Sequence, residues 1–199
     1  MEQMTQDRAH GLGRCFYSLF LLVVPTAVAD LMTGNAARIH FPGLVLPGEV
    51  LVMLAQLLYG GILLRMRRAD VRYRTAGLCL LVSAAATFLT ESMQILHPTP
   101  YLIFPAILGV VLDVCGIYCE YHAHSTVVSE FDGDYARKWH HLWYWFIGTY
   151  VAMVLSIGWM SAAPKAGTLC FYGTALAAAI VVIMKFVYLL RTARMLKAV

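Results

Sequence analysis

Apolar residues fall in six long runs along the chain, over residues 15–33, 50–64, 75–96, 101–119, 142–160 and 168–190. About 20 residues of α-helix cross a hydrocarbon layer of about 30 Å, so the runs match membrane-spanning helices in length. The second run is short and borrows Glu49 and Arg65 as interfacial ends. The pattern predicts an all-α fold: a polytopic membrane helix bundle with six transmembrane helices, forming a single domain over residues 1–199.

Polar positions interrupt the third run at helical spacing. Ser83, Thr87, Thr90, Glu91, Gln94 and His97 project from one wedge about 120° wide at roughly 100° of rotation per residue. An ionisable side chain facing lipid costs on the order of 3 kcal/mol, so this wedge is expected to face other helices or a water-filled cavity. With the first and third runs crossing in the same direction, Asp30 shares a depth with Glu91 and His97. His40 and Glu49 are then available in the loop beside them. Glu91, Gln94, His97, Asp30 and Thr87 are therefore the candidate ligand- or ion-binding residues. Their spacing specifies no metal, and a structural role as paired helix polars is the favoured account of them.

The fourth run has two polar faces. Asp113, Glu120 and His124 form one stripe, and Cys115, Cys119, His122 and Thr126 form another about 200° away. Asp113 is the deepest acid in the chain and joins the candidate site residues, with Gln56 and Tyr59 as expected hydrogen-bond donors. Cys115, Cys119 and His122 are weak metal candidates, because a fourth ligand requires His140 or His141 to fold back across the following loop. No C-x-x-C occurs, and free cysteine packs as a small hydrophobe. No cofactor is specified by these residues.

Composition agrees with the membrane reading. The chain is 60% hydrophobic and 13% charged with mean hydropathy +0.70, against about 45–50% and about 25% in soluble domains. With Lys185 counted as a flanking charge alongside Arg191, Arg194 and Lys197 at the C-terminal end, all lysines and arginines except Arg38 and Lys165 fall at the two termini, between the second and third runs, or between the fourth and fifth. The positive-inside rule then puts both termini in the cytoplasm, giving an N-in/C-in protein of the plasma (inner) membrane. Trp139, Trp143, Tyr144 and Trp145, with Trp159 at the far end, are expected to form interfacial belts. The net charge of +4 thus calls for no nucleic acid. Arginines in the 65–74 loop can touch anionic headgroups, and loops 65–74 and 121–139 are the places for a partner protein.

Three local patterns qualify this picture. Arg14, the apolar run 16–24, Pro25 and Ala27-Val28-Ala29 resemble a signal peptide cleaved before Asp30, although the first helix is expected to be retained. Asp132-Gly133-Asp134-Tyr135-Ala136-Arg137 resembles the opening of the CDP-alcohol phosphatidyltransferase motif, in which acidic residues hold divalent metal. The glycine of that motif falls on Phe146 here and its two later aspartates are absent, so the segment is read as an acidic turn capping the fifth helix. Pro25 and Pro105, each ahead of an aspartate, hint at paired three-helix halves with broken helices, a transporter device.

Gly60, Gly61, Ala84 to Ala86, Gly173 and Ala175 are small residues that let helices approach closely. The expected function is binding or transport of a small molecule or ion, by a transporter or a membrane-embedded binding subunit. A signalling or scaffold protein acting through its loops is the alternative. An intramembrane enzyme ranks last, since no nucleophile–base pair or closed metal set is visible.

Overall fold

The structure, a computed structural model, describes residues 2–34, 39–96 and 103–198. Its described residues are helical, with no strand among them. The helices are α1 (Glu2–Leu21), α2 (Val23–Thr33), α3 (Val45–Arg65), α4 (Arg72–Leu96), α5 (Ile103–Ser129), α6 (Gly133–Ala162) and α7 (Pro164–Ala198). Short 3-10 turns at Pro42–Leu44 and Met66–Arg68 flank α3. Five stretches are long and apolar enough to cross a membrane: Arg8–Thr33, Val45–Arg68, Arg72–Thr90, Gly133–Ala162 and Pro164–Ala198. Exposed Leu155, Leu176 and Ile183 give these helices greasy outer faces, which suit lipid and are unfavourable in water.

The first apolar run is two helices. Pro25 has no N–H for the carbonyl of Leu21, and its ring crowds that carbonyl, so the helix breaks at Leu22. Thr26 donates from both its N–H and its Oγ1 to the carbonyl of Leu22. The break has a packing consequence. α1 leans mainly on α7, while α2 leans on α3.

From α3 onward each helix packs chiefly against its neighbours in sequence, and the α1–α7 contact closes the ring. Glycines permit a close crossing of α3 and α4. A Cβ on Gly77 would stand 2.8 Å from the carbonyl oxygen of Gly60, so the α3 and α4 backbones touch. At the α4–α5 crossing Ser83 is buried and donates to the carbonyl of Gly109, 2.9 Å away. That part of the polar wedge faces protein.

Several helices outrun their apolar segments. The loop expected before the fifth run shrinks to residues 130–132. Asp132 caps α6, accepting from the N–H of Tyr135 at 2.9 Å, as the acidic-turn reading anticipates. The early start of α6 corrects the aromatic belt. Trp139 is fully buried and donates from Nε1 to Thr192 Oγ1 at 3.3 Å, as a buried indole must. Trp145 and Trp159 remain exposed. Glu49, expected in a loop, is instead buried within α3.

The apolar core is concentrated where the chain termini and the short α3–α4 and α5–α6 connections meet. Phe16, Leu63, Tyr73, Trp139, Leu189 and Leu196 all belong to it.

Candidate functional site: a buried acid–base network beside a cavity

Glu120 and His124, one turn apart on α5, have no exposed surface. A carboxylate so placed must collect donors or be strongly unfavourable. Six helices supply or surround its partners. Lys185 of α7 sets its Nζ 3.0 Å from Oε1 and 3.1 Å from Oε2. Tyr59 of α3 donates its hydroxyl to Oε1. His124 Nε2 stands 3.2 Å from the same oxygen.

The other imidazole nitrogen, Nδ1, is 2.7 Å from the hydroxyl of Tyr73 on α4. Because a carboxylate only accepts, the partners assign the proton to Nε2 and leave Nδ1 to accept from Tyr73. The result is one continuous chain, Tyr73–His124–Glu120–Lys185, with Tyr59 as a side branch. Aromatic rings seal it. Phe16 and Trp139 lie 4.8 and 4.7 Å from the His124 ring, and Lys185 sits between the rings of Tyr59 and Tyr121 at 5.1 and 5.3 Å.

Lys185 and Tyr59 also reach a cavity of about 250 Å³. Leu19, Leu22, Val23 and Thr26 of the broken first helix form one wall, and Ile117, Phe146, Val182 and Phe186 contribute to the others. Gln56 adds a further polar group. The helix break, the cavity and the acid–base network are thus one continuous region.

The predicted site residues are distributed differently. Asp113 lies on the Glu120–His124 face, partly buried, one turn from cavity-lining Ile117. Lys185 and Glu120 act on it electrostatically, but it has no hydrogen bond among the described residues. Tyr59, its expected donor, serves Glu120 instead.

Thr87 is exposed beside a cleft of about 10 Å³ that it shares with Glu49 and Gln56, room for about one water. Thr90 is buried and donates to the carbonyl of Ala86 in its own helix. The side chains of Asp30, Glu91 and Gln94, and all of His97, lie outside the described residues.

On the second face of α5, Cys115 is exposed and Cys119 and His122 are partly so. His140 does come back to His122, with ring centroids 5.0 Å apart. Among the described residues, no group of three or more His, Cys, Asp or Glu side chains is arranged to hold a metal ion.

Sequence reasoning placed Glu120 and His124 on the right stripe and stopped there. It missed Tyr59, Tyr73 and Lys185 as their partners, and took Lys185 for a flanking cytoplasmic charge. One signal was available: Lys185 stands six residues before Arg191 inside an otherwise apolar run, too deep for a simple end charge.

Compared with known proteins, the chain has no matching family model, curated protein or solved structure. Its class is therefore defined by its own architecture: an all-helical protein whose helices are long and apolar enough to span a membrane.

Proposed function

We propose that this protein is a six-span membrane protein that binds a small molecule in the cavity beside Lys185, acting as a transporter or as the binding subunit of one. The sixth span is α5. Its 27 residues extend about 40 Å, and it packs between α4 and α6, each a candidate span. The arginine-rich termini and connections then lie in the cytoplasm, at the plasma membrane.

The observation that carries the reading is the meeting of a broken helix, an apolar cavity and a polar end built from Lys185, Tyr59 and Gln56. Binding sites are mostly apolar with a few placed polar groups. Transporters place them at interrupted helices. The cavity, at about 250 Å³, is below the roughly 300–1,000 Å³ typical of drug-sized ligands. Its ligand is therefore compact, with one hydrogen-bonding or charged end. Glu120 offsets the charge of Lys185, so a neutral or zwitterionic ligand fits better than a strongly anionic one.

Native mass spectrometry of the full chain extracted from its own membrane tests this directly. A small adduct is expected on the wild type and is lost in Thr26→Trp and Val182→Trp, which fill the cavity from two different helices. Absence of any adduct on the wild type, or its retention in both variants, would sink the proposal.

A further inference from the structure

A second cavity of about 580 Å³ opens between α1 and the α3–α4 connection, and four arginines line it together with Ser18 and Cys15. Arg8 and Arg14 enter from α1, Arg65 from the end of α3, and Arg68 from the 3-10 turn that follows. Among the described residues, no aspartate or glutamate lines it. The nearby carboxylate, Asp70, is occupied by Arg72, accepting from its backbone N–H at 2.8 Å and lying 3.9 Å from Nε. None of the four cavity arginines has an ion pair among the described residues. Four like charges around one hollow repel each other and favour an anion between them.

We propose that this cavity binds a phosphate monoester, supplied by the headgroup of an anionic lipid. Guanidinium groups grip phosphate oxygens through paired N–H donors, and several converging on one hollow favour a doubly charged phosphate over a singly charged phosphodiester. Position argues for the lipid source. Arg8 begins one candidate span and Arg68 ends another, so the hollow lies at a membrane boundary, where headgroups sit. Leu12, Ile62 and Met66 line the same cavity, an apolar flank for the start of an acyl chain. The α1 side is open at Gly11, where a Cβ would meet nothing within 4 Å.

The test is thermal unfolding of the full chain in phosphatidylcholine nanodiscs, alone and doped with phosphatidic acid or phosphatidylglycerol. Phosphatidic acid is expected to raise the melting temperature more than phosphatidylglycerol does. In Arg14→Gln/Arg65→Gln its apparent affinity falls about tenfold or more. Arg67→Gln removes a charge from the same segment but outside the cavity, and keeps the shift. Glycerol 3-phosphate added to undoped nanodiscs gives no shift. A full shift from it, absent in the double variant, would overturn the lipid source. Equal shifts from the two lipids, a shift retained in the double variant, or one lost in Arg67→Gln would overturn the site itself.

Discussion

Lys185 and Glu120 are paired across the helix ring, from α7 to α5, with the ammonium 3.0 Å from a carboxylate that has no exposed surface. The lysine side chain keeps 17% of its surface exposed, and it is the network's outlet to the cavity. The charge of Glu120 is thus compensated locally, and Lys185 and Tyr59 belong both to the network and to the lining of the cavity.

This pairing predicts strong non-additivity. Lys185→Met leaves the Glu120 carboxylate buried with two weaker donors, and is expected to destabilise the protein by about 3–5 kcal/mol. Adding Glu120→Gln removes the orphaned charge and should recover a large part of that loss. Thermal unfolding of both single variants and the double variant measures the coupling. Simple addition of the two single effects would show that the ion pair does not organise the core.

Tyr73 carries the far end of the network. Tyr73→Phe keeps the ring in the core but removes the hydroxyl that His124 Nδ1 accepts from, 2.7 Å away. A buried acceptor left without a partner costs about 1–3 kcal/mol. The expected result is a lowered melting temperature and faster amide hydrogen exchange around residues 120–124. An unchanged melting temperature would mean that another donor serves that nitrogen.

The glycine contact separates packing from composition. In Gly77→Ala the new methyl meets the carbonyl oxygen of Gly60 at 2.8 Å, a backbone atom that cannot step aside. α3 and α4 must part, at a cost of about 1–3 kcal/mol. Gly61→Ala, one residue from Gly60, adds a methyl with nothing within 4 Å, and is expected to stay within about 1 kcal/mol of wild type. Comparing the two melting curves checks this, and similar losses in both would remove the close approach as the cause.

Much of the fold is readable from residue order. The apolar runs anticipate the helices and the Asp132 turn anticipates the α6 cap, whereas the break at Leu22 falls inside a run read as one span. The α5 stripes also survive folding. Glu120 and His124 are buried while Cys115 and Thr126 are exposed. Periodicity fixes which residues share a face, because 3.6 residues per turn is a property of one helix alone.

Partnership is a different matter. Tyr59, Tyr73, Glu120 and Lys185 stand on four helices, separated by up to 65 residues for the Lys185–Glu120 pair. Nothing within any one helix specifies which face meets which. Trp139 illustrates the same limit. As a sequence it belongs to an interfacial cluster with Trp143 and Trp145, yet α6 starts early enough to rotate it into the core against Thr192.

By itself the sequence determined a helical, membrane-compatible chain and which α5 residues point together. Those are consequences of local backbone geometry and of transfer energy along one segment. Only the tertiary structure decided that Lys185 neutralises Glu120, that His124 is bonded at both nitrogens, and that a cavity opens beside them. Such contacts depend on the rotation, depth and spacing of helices relative to one another, which arise when side chains from the whole ring pack at once.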